Sequence, residues 1–398
     1  MKWSPKVFNG LEVQDREVGP MSDTRGEISA RITVGIDLGD RYSEFCALDQ
    51  TGTVVDDGRL RTTQVALRRY FSGSSPMLVV IEVGTHSPWV SRLLEDCGHE
   101  VIVANARKVR LIYGSDNKTD EVDAESLARL GRLDPKLLAP IRHRGAETQA
   151  DLATIRSRDC LVSSRTQLIN HVRGAVKAVG GRLPTCSAVS FPRKVIDHLP
   201  PELSPTLKPV LGMIETLSGE IRAADRRIEQ LANDCYPETK RLRQIAGVGP
   251  ITSLCFVLTL EDPSRFPNSR SVGAYLGMCP RRRDSGAHSP QLRITKGGDP
   301  MLRRLLVNSG HYILGPFGPE CDLRTWGLKL AQRGGKNAKK RAVVAVARRL
   351  ACMLHSMWIN ETEYEPLRLE NRRRAVVTNG FRLHRINGQN CTLLGSGS

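Results

Sequence analysis

The stretch Ile32-Thr33-Val34-Gly35-Ile36-Asp37-Leu38 decides the fold. Its near-continuous apolar run, rich in β-branched residues, reads as a buried strand that ends at Gly39 and carries an acid to its C-terminal end. Working outward, Ser43–Leu48 and Thr53–Val55 read as two further strands, with the turn residues Asp49-Gln50-Thr51-Gly52 between them. A helical stretch over Val65–Phe71 leads to Met77-Leu78-Val79-Val80-Ile81-Glu82, a second buried strand that ends in an acid. A helix from about Pro88 to Cys97, the strand Glu100–Ala104 and a helix over Lys118–Leu130 follow. Strands first and strand–helix alternation afterwards predict an α/β domain with a mixed sheet over residues 31–146.

The rest of the chain is helical in pattern. In residues 147–235, Leu152, Ile155, Leu161, Leu168, Ile169, Val172, Val176 and Val179 recur at helical spacing. The break Gly180-Gly181-Arg182-Leu183-Pro184 and a Pro-rich stretch precede a second amphipathic run, Leu211–Leu231. This predicts a long antiparallel helical pair or coiled coil, able to link domains and to join subunits. Residues 236–365 read as a third, mostly helical domain, with helices near 299–314 and 338–358. The fold class is therefore α/β plus all-α. Residues 1–30 are polar and aperiodic and read as a disordered leader, within which Met21 is an alternative start; residues 366–398 read as a basic flexible tail.

Composition narrows the function. Lys and Arg total 59 against 42 Asp and Glu, a net charge of +17 that draws the 398-residue chain toward polyanions, nucleic acid first. Aromatics at 5% argue against a single-strand binder built on stacking platforms. The ten cysteines are scattered without a Cys-x-x-Cys pair, which fits neither a zinc knuckle nor a disulfide framework. No apolar run is read as reaching the roughly 18 residues of a membrane span. The expected setting is the bacterial cytoplasm, at the nucleoid.

Asp37 and Glu82 close two buried strands, and Asp120 and Asp123 stand three apart on one face of a helix. Four acids in one place repel unless cations lie between them, and hard oxygen ligands favour Mg²⁺ or Mn²⁺. Strand-end acids are also common caps, and Asp120 and Asp123 suit a helix N-terminus. The string Lys118-Thr119-Asp120-Glu121-Val122-Asp123-Ala124, together with Gly35-Ile36-Asp37-Leu38-Gly39 and Glu82, resembles the RuvC-like, RNase H-like DEDD domain of a bacterial insertion-sequence transposase family. Members of that family also carry a serine-bearing C-terminal transposase domain and are guided by a bridge RNA. Actin-like ATPases open with a similar strand, but need further glycine-rich phosphate loops that are not found suitably placed here.

Ser285 lies in the turn Asp284-Ser285-Gly286 among Arg281, Arg282, Arg283, His288 and Arg293, upstream of Lys296, Arg303 and Arg304. On its own Ser-Gly is a common turn, and nearby guanidinium groups would offset phosphate charge. The resemblance implies that Ser285 is the nucleophile that joins covalently to DNA. Ile245-Ala246-Gly247-Val248-Gly249-Pro250-Ile251 reads equally as the hairpin of a helix-hairpin-helix, with Gly247 and Gly249 letting backbone amides approach phosphate, or as a tight turn between packed helices. Lys118, Arg281, Arg282, Arg283, Arg293, Lys296, Arg303 and Arg304 are the candidate nucleic-acid contacts.

The resemblance therefore implies a DNA recombinase with Asp37, Glu82, Asp120 and Asp123 as metal ligands and Ser285 as nucleophile. It further implies donor and target duplexes, a structured guide RNA, and dimers assembling into tetramers. The rival readings are a junction nuclease using the carboxylates alone, a non-catalytic nucleic-acid-binding protein, and an ATPase.

Overall fold

The computed structural model describes residues 32–105, 120–283, 285, 290 and 292–368. The expected leader, Lys118 and nearly all of the basic tail lie outside the described residues. The chain divides into two compact units, residues 1–146 and 147–398.

In the first unit five strands form one sheet in the order β3-β2-β1-β4-β5. They are β1 (Thr33–Asp37), β2 (Tyr42–Leu48), β3 (Val54–Arg61), β4 (Leu78–Glu82) and β5 (Glu100–Ala104). β1 pairs in parallel with β4, and β4 with β5, while β2 runs antiparallel to both β1 and β3. The mixed sheet is consistent with an RNase H-like DEDD domain. Strand alternation sorts side chains onto two faces. Val34, Ile36, Phe45, Val79, Ile81 and Val103 point to one face, where they are buried with Leu67 and Phe71 of α1 (Gln64–Phe71) and Val90 and Leu94 of α2 (Ser87–Asp96). The opposite face is covered by α3 (Asp120–Leu133), which buries Ala124, Leu127, Ala128 and Leu130 against Cys46, Leu48, Leu78, Val80 and Ile102.

Gly35 sets how closely α3 approaches. A Cβ on Gly35 would meet the Ala124 carbonyl oxygen at 2.1 Å and the Ala128 nitrogen at 2.5 Å, so only hydrogen fits between strand and helix. Near the other end of the helix, Gly131 lies against Val80 and Thr33. α3 thus runs opposite to β1, and its N-terminus stands over the C-terminal ends of β1 and β4.

The predicted strand Thr53–Val55 is longer than expected, continuing as β3 to Arg61. Its outer part, Asp56–Arg61, is polar because an edge strand has a single neighbour and stands mostly in water.

The second unit opens with α4 (Ala146–Ala178), a helix about 50 Å long. It ends at Gly180 and Gly181, whose amides donate to the carbonyls of Lys177 at 3.0 Å and Val176 at 2.9 Å, a glycine cap that explains the predicted break. The short α5 (Phe191–Val195) and the long α6 (Ser204–Asp234) follow. Arg158 pairs with Asp225 at 2.8 Å and Arg165 with Ser218 at 3.2 Å, so α4 and α6 are antiparallel. The seam is polar in its middle and apolar at both ends. Val172, Val176, Phe191, Leu207 and Leu211 fill one end. At the other, Leu152, Ile155, Ile228 and Ala232 share a core with the C-terminal helices. Residues 147–235 and 236–365 are therefore joined by a common core.

The remaining helices are α7 (Glu238–Leu242), α8 (Pro250–Leu260), α9 (Ser269–Tyr275), α10 (Pro300–Leu314), α11 (Asp322–Ala331) and α12 (Ala338–Ile359). α12 packs against α9, α10 and α11 and buries Val346, Ala347, Leu350, Ala351 and Leu354. Contrary to the sequence expectation, this one described helix is long and apolar enough, at a mean hydropathy of 1.4, to cross a bilayer by length and composition. Its apolar residues are accounted for by the core they fill.

Candidate active site

Cross-strand register places four charged residues in one row at the edge of the sheet. Asp37 pairs with Glu44, and Glu44 with Arg59. On the other side of Asp37, the parallel register that sets Ile36 beside Ile81 brings Glu82 next. All four belong to the face that α3 covers, and α3 begins there with Asp120 and, one turn on, Asp123. Three separate elements thus gather Asp37, Glu82, Asp120 and Asp123 at one edge. Among the described residues no group of three or more His, Cys, Asp or Glu side chains is arranged to hold a metal ion. Mutual repulsion gives a physical reason: closing four carboxylates into one ligand sphere needs the cation itself. The donor set is all oxygen, the chemistry that Mg²⁺ or Mn²⁺ takes.

Glu44 and Arg59 were not singled out from the sequence. Glu44 is 8% exposed and bonds to Arg59, and this bond, with the charges of Glu121 and Asp120, raises the pKa of the guanidinium. The signal was available: strict alternation puts Glu44 on the same buried face as Cys46 and Leu48.

The loops after β1 and β4 add His86 and Asp40, also missed. The Trp89 indole N–H donates to His86 Nδ1 at 3.1 Å, so the neutral ring carries its proton on Nε2, which faces the Asp40 carboxylate at 3.5 Å. Beside them Ser87 meets His143 Nε2 at 2.8 Å, and Arg92 donates to the Arg144 carbonyl at 3.0 Å, strapping residues 143–144 to the start of α2. Burial, then the positive charges of Arg92 and Arg144, push the His143 pKa below its ordinary value of 6.5. The folded unit holds this ring neutral while the unfolded chain protonates it first. Its stabilising contribution is full above pH 6.5 and is lost as pH falls through that value towards the depressed folded pKa. The melting temperature of the first unit is expected to fall between about pH 7 and 5.5, and H143Q to flatten that slope. An unchanged slope in H143Q would refute the assignment.

In the second unit Ser285 is carried by a short hairpin. The Arg281 amide donates to the Arg293 carbonyl at 2.9 Å, the Thr295 amide to the Cys279 carbonyl at 2.9 Å, and Pro280 bridges Ile294. Ser285 lies between these paired segments and is exposed, as are Arg281, Arg282, Arg283, Arg293 and Lys296. His288 lies outside the described residues. Arg303 is engaged internally, donating to the carbonyls of Leu276 at 2.8 Å and Gly297 at 2.5 Å, and Arg304 pairs with Asp159 at 2.5 Å. Gly247 (φ 90°) turns the chain against α10, where a Cβ would meet the Tyr312 ring at 2.8 Å, whereas around Gly249 there is open space.

Two family models match non-overlapping parts of the chain: a DEDD-type IS110 transposase domain over residues 34–180 and a transposase domain of the IS116/IS110/IS902 family over residues 239–314. Together they span more than half of it. The chain belongs to the IS110/IS116 transposase family.

Its relatives cover it nearly end to end. A probable family 20 transposase of Pseudomonas aeruginosa is 28% identical over 346 residues, 84% of this chain and 98% of its own length. The transposase for insertion sequence element IS1111A of Coxiella burnetii is 26% identical over 375 residues, 90% of this chain and 98% of its own. A pilin gene-inverting protein of Moraxella bovis is 22% identical over 339 residues, 81% of this chain and 94% of its own. A transposase acts on DNA, which accounts for the +17 charge. The DEDD match spans the acidic edge and extends through α4, and the second match includes the Ser285 hairpin and the Gly247 turn.

Proposed function

We propose that this transposase cuts and rejoins DNA with two half-sites, the acidic edge of the first unit and the Ser285 hairpin of the second. The observation that carries the proposal is the convergence of Asp37, Glu82, Asp120 and Asp123 from two adjacent strands and one helix N-terminus onto a single edge. These four residues would hold Mg²⁺ or Mn²⁺, which when bound offsets the charge of a phosphodiester. Ser285 Oγ forms a bond to phosphorus as one phosphorus–oxygen bond to deoxyribose breaks. The serine gives up its proton and the departing sugar oxygen takes one, so nothing is oxidised and no water is consumed. Attack by a hydroxyl of another strand reverses the exchange and restores the serine.

The exposed arginines Arg281, Arg282, Arg283 and Arg293 suit backbone phosphate. In this reading Gly249, open on its outer side, presents backbone amide to DNA, and Lys118 adds a cation beside the acids. The family resemblance supports a structured guide RNA that pairs with donor and target DNA, and dimers that assemble into tetramers so that the acids of one protomer serve the serine of another. Such a complex would work at the bacterial nucleoid.

S285A decides between strand transfer and hydrolysis. The variant is expected to lose recombination and every protease-resistant protein–DNA conjugate, by about 10³-fold or more. If S285A still cuts at the wild-type rate, the carboxylates alone hydrolyse DNA as in a junction nuclease, and the serine proposal falls.

A further inference from the structure

Four non-glycine residues among those described have φ in the left-handed region: Ala139 (44°), Glu261 (64°), Lys296 (59°) and Glu361 (50°). Three of them end helices. Ala139 closes a 3-10 turn, with its amide on the Lys136 carbonyl at 3.0 Å, and Glu261 closes α8, with its amide on Val257 at 2.7 Å. Glu361 follows α12, with the next amide, Thr362, reaching back to Met357 at 3.2 Å. The left-handed geometry at those sites satisfies carbonyls that a helix end leaves without partners. Lys296 ends no helix. It follows the paired segment that carries the Ser285 hairpin, three residues before Asp299 caps α10.

Its conformation is imposed from both sides. The Lys296 amide donates to the Gly277 carbonyl at 3.0 Å. Gly277 and Gly298, left-handed themselves at 66° and 67°, lie so close to the neighbouring backbone that a Cβ would meet Gly297 N at 2.2 Å and the Tyr275 carbonyl at 2.0 Å. Arg303 bonds to a carbonyl on each side, Leu276 and Gly297. Two backbone segments are thus clasped together, and glycine stands at the two positions where the contact demands it. At the third left-handed position the chain carries a lysine, whose side chain is exposed and whose ammonium forms no ion pair among the described residues. Nothing in the packing calls for that side chain, and glycine there would remove the backbone strain.

We propose that Lys296 is a phosphate-binding residue of the transfer site, its ammonium contacting a non-bridging oxygen of the DNA phosphodiester that Ser285 attacks. The left-handed backbone holds the lysine stem at a fixed angle to the hairpin, so the charge is delivered with less of the freedom that an exposed lysine keeps. The nearby Asp299 does not compete for it: one oxygen accepts from the Leu302 amide at 2.8 Å and the other pairs with Arg156 at 3.3 Å. This inference rests on the reading of the hairpin as the site of strand transfer.

K296G, K296N and K296R test it in the full-length protein, with three readouts. K296G is expected to melt about 2–4 °C above wild type, because strain is relieved. In an S285A background, where no chemistry intervenes, the salt slope of duplex DNA binding is expected to drop by about 0.9 in K296G and K296N and to be kept by K296R. With Ser285 present, conjugate formation is expected to fall about 10²-fold in K296G and K296N. A lower melting temperature in K296G would make the lysine a structural residue and overturn the proposal, as would an unchanged salt slope. A slope that changes only with structured RNA would move the contact to RNA and overturn the DNA assignment. Failure of the serine reading is separate, since it appears as conjugate persisting in S285A, whatever the slope of K296G.

Discussion

G35A is expected to destabilise the first unit by about 3 kcal/mol or more, the upper end of what overpacking a core costs. The added methyl would lie 2.1 Å from the Ala124 carbonyl and 2.5 Å from the Ala128 nitrogen, both backbone atoms that no rotamer change can move. α3 would have to retreat by roughly 1 Å to restore ordinary contact. That retreat would loosen Ala124 and Ala128 from Cys46 and Leu48, and Leu127 and Leu130 from Val80 and Ile102. For a domain of about 100 residues each kcal/mol lowers the melting temperature by about 4–8 °C, so calorimetry should show a shift of more than about 12 °C in one unit. The same retreat would carry Asp120 and Asp123 off the sheet edge, so recombination should fall at temperatures where the variant is still folded. A G35A protein that melts within about 1 °C of wild type would show that α3 does not pack at the distance described here.

D37N is expected to abolish DNA strand transfer, by about 10³-fold, while leaving the fold intact. Asparagine keeps the shape of Asp37 and its place beside Glu82 and Glu44. What it removes is one of the charges gathered at the edge, and a loss of about 4 kcal/mol in transition-state stabilisation corresponds to that factor. A second readout does not depend on turnover. Wild-type protein should melt higher as Mg²⁺ is added, by the amount that ligand binding to the folded state alone provides, and D37N should lose that response. If D37N binds and recombines DNA as wild type does, the acidic edge is not catalytic and the chain is a nucleic-acid-binding protein in this part.

Much of this architecture is readable from local pattern. The buried strands 33–37, 78–82 and 100–104 carry apolar runs bounded by turn residues, and the helices near 300 and 338 begin where caps and periodicity place them. The outer half of β3 is not readable in this way, because Asp56-Asp57-Gly58-Arg59 stands mostly in water at the sheet edge and keeps a polar composition that resembles a loop. α11 (Asp322–Ala331) was missed for a similar reason: it buries Leu323 and Gly327 and leaves Leu328 37% exposed, so its apolar stripe is thin. The apolar run of α12 shows the reverse case, where composition suits a bilayer and tertiary packing supplies a protein core instead.

The sequence by itself determined the residue types of the site: two acids at the ends of apolar strands, two more three apart on a helix, and a serine among arginines. Those are local facts, carried by spacing and by the periods of strand and helix. Only the tertiary structure decided that Glu44 and Arg59 join Asp37 and Glu82 in one row, that Gly35 brings α3 close above them, and that Lys296 is held in a strained backbone beside the serine hairpin. The physical reason is that register, helix approach and a forced φ are set by contacts between segments far apart in the chain, and such contacts leave no periodic trace in either segment alone.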